Sequence, residues 1–264
     1  MQHITSRQNP IVARYRAARE RKADTDPILL DGVHLVREAL DANVPLRDVV
    51  VARDADRDEM RELLARLSHA HVELRTASPA VMSAISPVRS PSPVVALTDA
   101  PDLDGDAAVA RLFERGTPLV VIGHGIQDPG NVGAIVRVAE AAGATGVVVG
   151  TASADPFGWK AVRASMGSVL RLPLAADTAA GLDAARRYGC RIIAMLPHEG
   201  KPIYEEDFRR PTAIVVGSEG AGLPAGLIDS ADERATIPMQ TPVESLNAAV
   251  TAAIVLYEAR RQRI

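Results

Sequence analysis

Near-continuous runs of Val, Ile and Leu recur through the second half of this chain, as PLVVIGHG, GVVVG, VLRLPL, CRIIAML, TAIVVGS and ATIPM. A strand with one wet face alternates apolar and polar residues. A strand apolar throughout is buried on both faces, which calls for a parallel sheet with helices above and below it. The first half is patterned differently. Its strand-like runs PILL, RDVVVA, VELRT and PVVALT alternate with VHLVREALDA, RDEMRELLARL and PAVMSAI, where apolar residues recur at helical spacing. Two stretches rich in Pro, Ser and Asp, SPVRSPSP and TDAPDLDGD, then interrupt the pattern. The expected organisation is an α/β chain with a first domain at residues 1–100, a linker at 101–117 and a second domain at 118–264.

Apolar residues make up 47% of the 264 positions and charged residues 24%, enough for a soluble globular core. Aromatic residues are only 3%, so that core must be aliphatic. No run approaches the roughly 18 apolar residues of a membrane span, and the opening MQHITSRQNP lacks the apolar stretch of a signal peptide. The single cysteine, Cys190, rules out an internal disulfide and reads as a small core residue before the apolar IIAML. The six His show no metal-ligand spacing, and no metal site is expected. All of this fits a reducing cytoplasm. A net charge of −3 argues against a generally basic nucleic-acid coat. The charge is unevenly spread, however: Arg7, Arg14, Arg16, Arg19, Arg21 and Lys22 face only Glu20 within residues 7–22. With Asn9 as cap and Pro10 at the first helical position, this stretch predicts a basic helix. Such a helix is either a solvated face or a surface that follows phosphates.

Three loops that follow predicted strands concentrate the residues hardest to explain by packing. The first, GHGIQDPGNVGAIVR, has glycines that permit tight turns, and Arg137 one helical turn beyond Gly133. It lacks the third glycine of a dinucleotide fingerprint, because Asp128 stands there, and it has no G-K-[ST] phosphate loop. An oxidoreductase of that class is therefore disfavoured. The second, VVGSEGAGLP, places Gly217, Gly220 and Gly222 around Ser218 and Glu219. The third opens a long apolar stretch. Thr241-Pro242-Val243-Glu244 has the form of a capping box with Pro at the first helical position, which predicts a helix over residues 241–261. Capping accounts for Thr241 and Glu244 but leaves Ser245 and Asn247 unexplained. The helix is apolar nearly all round, so it should be covered by its own sheet and by a partner subunit.

In this order, the loops resemble the three motifs of the SpoU/TrmH family of RNA ribose methyltransferases, in the SPOUT superfamily. The first motif is matched by Asn131, Gly133 and Arg137, the second by Gly217-Ser218-Glu219-Gly220 with Gly222-Leu223. The third is matched by Ile237-Pro238-Met239 and Ser245-Leu246-Asn247. KAVRASMGSVLRLP, at residues 160–173, is similar to the family's segment between motifs, and the likeness spans residues 118–264. One departure is Thr241, where many relatives carry Gly; Thr disfavours positive φ, so a turn that needs it would have to differ. The first domain resembles the small ribosomal-protein-like RNA-binding domain of many members.

The resemblance implies a parallel sheet whose C-terminal segment forms a trefoil knot, a homodimer joined through the C-terminal domain, and bound S-adenosylmethionine. Carried over by motif, the cofactor residues would be Gly217, Gly222, Ile237, Met239 and Leu246, with Leu196 beside them. The implied reaction moves a methyl group to a ribose 2′-hydroxyl of RNA. Large-subunit ribosomal RNA is the first expectation and transfer RNA the second; a non-catalytic ribosome assembly factor is the alternative from another class. Arg137 would clamp a phosphate and stabilise developing alkoxide charge, since a guanidinium is a poor base. Asn131, Ser245 and Asn247 would orient the ribose or relay its proton, and Glu219 would fix Arg137 or a loop amide. RNA would be held by the basic helix, through Arg7, Arg14, Arg16, Arg19, Arg21 and Lys22.

Overall fold

The computed structural model of the protein describes residues 2–55, 57–70, 72–218 and 220–264. The chain forms two compact units, Met1–Pro101 with Phe157–Arg171, and Asp102–Pro156 with Leu172–Ile264.

In the first unit, β1 (Gln2–Ile4) leads into helix α1 (Pro10–Glu20). Asn9 caps α1 as expected, its Oδ1 accepting from the Ile11 amide at 3.0 Å. Then follow β2 (Ile28–Asp31), α2 (Val33–Asp41), β3 (Leu46–Ala52), α3 (Arg57–His69), β4 (Leu74–Ala77), α4 (Pro79–Ile85) and β5 (Val94–Thr98). The strands form one mixed sheet in the order β1-β4-β3-β5-β2, in which β5 runs antiparallel to both of its neighbours. The three-residue β1 was not expected from the sequence: only Ile4 in it is buried, and its pairing with β4 defines it. Ile11, Val12 and Tyr15 of α1 pack with Val81, Met82 and Ile85 of α4 on one core. The buried Tyr15 hydroxyl donates to the Val95 carbonyl at 3.3 Å, and burial holds its pKa well above the usual phenol value.

The second unit opens with α5 (Gly105–Ala110), then β6 (Leu119–Gly123), α6 (Pro129–Ala142) and β7 (Gly146–Val149). The chain next enters the first unit for Phe157–Arg171, forming α7 (Trp159–Ser165). There Arg163 pairs with buried Asp31 at 3.3 Å, and Ser86 and Ser92 donate to the same carboxylate at 2.9 and 3.0 Å. Arg171 pairs with Glu38 of α2. The second unit resumes with β8 (Leu174–Ala176), α8 (Thr178–Arg187), β9 (Arg191–Met195), β10 (Lys201–Pro202), β11 (Thr212–Val216), α9 (Ala225–Asp229), β12 (Glu233–Thr236) and α10 (Ala248–Arg263). Its seven strands are all parallel, in the order β10-β12-β9-β11-β6-β7-β8. Strands β6 and β11 are buried throughout, as their doubly apolar runs require, whereas β10 was not expected and β12 takes in only Ala235 and Thr236 of the ATIPM run.

Three readings change. Residues 101–117, expected as a linker, hold α5, and Ala108, Val109, Leu112 and Phe113 belong to the core of the second unit. The apolar positions outweigh the Asp and Pro around them. Residues 157–171 do not join the second unit, because Asp31 and Glu38 of the first hold their arginines. In VLRLPL only Leu174–Ala176 is a strand; Ser168–Leu170 is a single 3₁₀ turn, and Pro173, which has no N–H, instead offers its carbonyl to the Val147 amide at 3.1 Å.

Candidate active site

In the second sheet, Gly123 pairs with Val216, Ala194 with Val215, and Met195 with Ala235. The carboxyl ends of β6, β11, β9 and β12 therefore lie side by side, where open parallel sheets place their ligands. The loops leaving these ends touch. His124 donates its amide to the Val216 carbonyl at 2.9 Å. A Cβ added to Gly125, whose φ is +68°, would lie 3.7 Å from the Ser218 side chain. The glycine-rich second loop folds back on itself, with the Gly222 amide bonded to the Ser218 carbonyl at 3.1 Å. Gly217 is obligatory there, since a Cβ would sit 2.5 Å from the Gly222 backbone.

A cleft of about 590 Å³ opens among the second loop, the loop after β9 and the segment after β12. All six residues expected to hold the cofactor line it: Leu196, Gly217, Gly222, Ile237, Met239 and Leu246. Ser245 lines it as well. So do His198 and Thr251, which no sequence pattern singled out, and Glu244, expected only as a capping residue. Glu244 had been assigned to a capping box; its place beside Ser245 was the available signal.

The expected helix start is wrong by six residues, from a cap at Thr241 to one at Asn247. Residues 241–247 are not helical, the Thr241–Pro242 peptide is cis, and α10 begins at Ala248. The cap is Asn247 itself: its Oδ1 accepts from the amides of Ala249 at 2.9 Å and Val250 at 3.3 Å. Asn is a stronger cap than Thr, and starting later frees residues 244–246 to line the cleft. Thr241 does not take positive φ, so the missing glycine strains nothing. Asn247 has a second partner, donating from Nδ2 to Asn131 Oδ1 at 3.1 Å. Asn131 lies in the first turn of α6, where Asp128 caps the helix by accepting from its amide at 3.0 Å. The first and third motifs are thus joined by one amide pair. At the other end of α10, Arg263 donates to the carbonyls of Thr117, Phe208 and Arg210, and Gln262 to that of Glu206, so the helix is fastened at both ends.

Arg137 is placed differently. It is exposed on the outer face of α6, outside the cleft lining, without a hydrogen-bond or ion-pair partner among the described residues. Glu219 lies outside the described residues. Of the cations expected to bind RNA, several are already engaged. Arg14 pairs with buried Asp48 at 3.3 Å and Lys22 with Glu20 at 3.3 Å. Arg7 donates to the Ala80 carbonyl at 3.0 Å and Arg21 to that of Asp24 at 2.9 Å. Burial raises the Asp48 pKa even though Arg75 and Arg14 oppose it. Arg16 and Arg19 project from α1 without a partner among the described residues.

A model of the SpoU rRNA Methylase family matches residues 118–257, more than half of the chain. The chain belongs to the SpoU rRNA methylase family. The matched span runs from β6 into α10 and contains all three loops. A model of the MRM3-like substrate binding domain matches residues 9–96. The chain is 30% identical to the 23S rRNA (guanosine(2553)-2′-O)-methyltransferase RlmP of Bacillus subtilis, over 98% of this chain and 100% of that one. It is 31% identical to the 23S rRNA (uridine(2479)-2′-O)-methyltransferase of Streptomyces viridochromogenes, over 93% of this chain and 86% of the relative. Among solved structures, the AdoMet-bound rRNA methyltransferase from Sinorhizobium meliloti superposes with a TM-score of 0.86 at 29% identity, covering 100% of this chain and 98% of that one. The SPOUT-type α/β architecture expected from the resemblance, a parallel sheet preceded by a substrate-binding domain, is the architecture of this SpoU chain.

Proposed function

We propose that the protein transfers a methyl group from S-adenosylmethionine to a ribose 2′-hydroxyl of large-subunit ribosomal RNA. The observation that carries this reading is the cleft itself: segments of the second and third family motifs wall it, at the carboxyl ends of adjacent parallel strands. Its chemistry fits the cofactor. Leu196, Ile237, Met239 and Leu246 offer an aliphatic wall for an adenine, and the absence of a Cβ at Gly217 lets the second loop close tightly on itself at the cleft. When bound, S-adenosylmethionine supplies an electrophilic methyl on a sulfonium. The protein then has to align a hydroxyl with it and exclude water; such alignment contributes up to roughly 7–11 kcal/mol in well-oriented reactions.

Ser245 projects at the cleft and orients the acceptor ribose, while the Asn131–Asn247 pair fixes the turn that carries it. Arg137 lies on an outer stripe of α6 with half-buried Ala134 and Val138. On α10, Val250 and Tyr257 are exposed, with half-buried Ile254 between them. These positions repeat at three- and four-residue spacing, so each helix carries a mostly apolar outer face of the kind a symmetric interface covers. The protein works as a homodimer through this face, and Arg137 clamps RNA phosphate and stabilises the developing alkoxide at a site completed by the partner. The C-terminal segment is threaded as a trefoil knot. The first unit holds the RNA, with Arg16 and Arg19 free for phosphates, and the protein acts in the cytoplasm on ribosomal RNA. No helix among the described residues is long and apolar enough to cross a membrane.

The test is ribose-methylation mapping of total RNA from cells with and without the gene, repeated on purified ribosomal and transfer RNA with the isolated protein. A lost 2′-O-methyl in large-subunit ribosomal RNA, restored in vitro, is the expected result. A site confined to transfer RNA would overturn the substrate, and no methylation in any RNA would overturn the reaction.

A further inference from the structure

The described lining of the cleft includes a carboxylate that the proposed reaction leaves without a role. Among its described lining residues there is no Arg or Lys, and Glu244 is the one carboxylate. The rest of the wall is aliphatic, glycine, or neutral hydroxyl apart from His198. Glu244 is exposed, directly precedes Ser245, and has no ion-pair or hydrogen-bond partner among the described residues. The capping role that its position in sequence suggested is taken by Asn247, which leaves the carboxylate without a structural task.

We propose that Glu244 reads the charge of the cofactor, holding S-adenosylmethionine in preference to the spent S-adenosylhomocysteine. This rests on the cleft being the cofactor site. The two molecules share the adenosine and the amino-acid tail, so the aliphatic wall and the glycine-loop amides cannot tell them apart. They differ by one methyl and one positive charge. Methyl transfer forms an oxygen–carbon bond at the ribose and breaks the sulfur–carbon bond. The sulfur keeps the electron pair and becomes neutral, and the hydroxyl proton departs. Net charge on the small molecule falls from +1 to zero. A mostly apolar cleft penalises an uncompensated cation, and a carboxylate at its edge removes that penalty for the charged form alone. Glu244 thus positions the fresh cofactor and loses its hold once the methyl has left, which favours exchange.

The test is calorimetric binding of each small molecule separately to the full-length protein, with no RNA and no turnover. For one attraction between unit charges at a solvated edge, Glu244→Gln should weaken S-adenosylmethionine by about three- to tenfold at low salt and leave S-adenosylhomocysteine within about twofold. Glu244→Lys should push the preference further toward S-adenosylhomocysteine. Added salt should shrink the wild-type preference and barely alter that of Glu244→Gln. Equal losses for both molecules would make Glu244 a packing residue, and no loss for either would remove it from the site; both overturn the inference. Wild-type protein that binds neither molecule would instead sink the cofactor assignment, a distinguishable failure.

Discussion

Replacing Asn247 by Ala removes two sets of hydrogen bonds at one point. The side-chain oxygen caps α10 through the amides of Ala249 and Val250, and the side-chain nitrogen donates to Asn131. Loss of an Asn cap costs about 1 kcal/mol. Loss of an exposed amide–amide bond adds about 0.5–1 kcal/mol, so Asn247→Ala should destabilise the protein by roughly 1.5–2 kcal/mol. Asn247→Asp separates the two contributions. A carboxylate caps as well as an amide and is favoured by the positive end of the helix dipole, so stability should stay within about 0.5 kcal/mol of wild type. Yet Asp has no N–H to give Asn131, which must turn its own amide round to keep a bond. Urea unfolding of both variants measures the stabilities, and methyl transfer to ribosomal RNA measures the consequence for the site. The expected pattern is one unstable variant and one stable variant, both impaired in turnover. Equal destabilisation by Ala and Asp would refute the capping role, and full turnover in Asn247→Asp would detach the Asn131 pair from catalysis.

Three further outcomes are expected. Arg137→Ala should lower turnover by about 100-fold or more, far more than it weakens RNA binding, while S-adenosylmethionine binding persists; near-normal turnover would remove Arg137 from the reaction. Substituting Arg16 and Arg19 together by Ala should flatten the log–log salt dependence of single-stranded RNA binding by about 1.4, for two phosphates released, and an unchanged slope would place RNA elsewhere. Burial pushes the Cys190 thiol up to about 11, so an aromatic disulfide reagent at pH 8 should label it only after unfolding. The same shift sets a sign: the unfolded thiol ionises at about 8.5, so its contribution to stability is full below that pH and declines as pH rises toward the folded value. Rapid labelling of native protein would contradict the burial.

Much of the architecture was legible because its signals are local. Asn9 before Pro10 announces a helix start through a side-chain oxygen that reaches an amide only two residues away, and Asp128 before Pro129 carries the same local signal, which the structure bears out. The doubly apolar runs require burial on both faces, and a parallel sheet meets that requirement. Spacing of glycines and polar residues marked the loops, and every residue expected around the cofactor lines one cleft. Where local signals compete, the sequence alone misled. Thr241 and Glu244 make a plausible capping box, but Asn247 also caps, and which of two caps prevails depends on what the intervening residues can pack against. Here Leu246 and Met239 have a cleft to line, and the helix begins later.

By itself, then, the order of residues determined the alternation of strands and helices, the capped starts of α1 and α6 and the family the chain resembles, since these rest on contacts a few residues apart. Only the tertiary structure decided the rest. It brought Asn247 to Asn131 across 116 positions, sent residues 157–171 to the buried Asp31 of the first unit, and left Arg137 on an outer face instead of in the cleft. Each depends on which distant partner a side chain meets once the sheets close, and an amide or guanidinium offers the same donors to any acceptor that packing brings within reach.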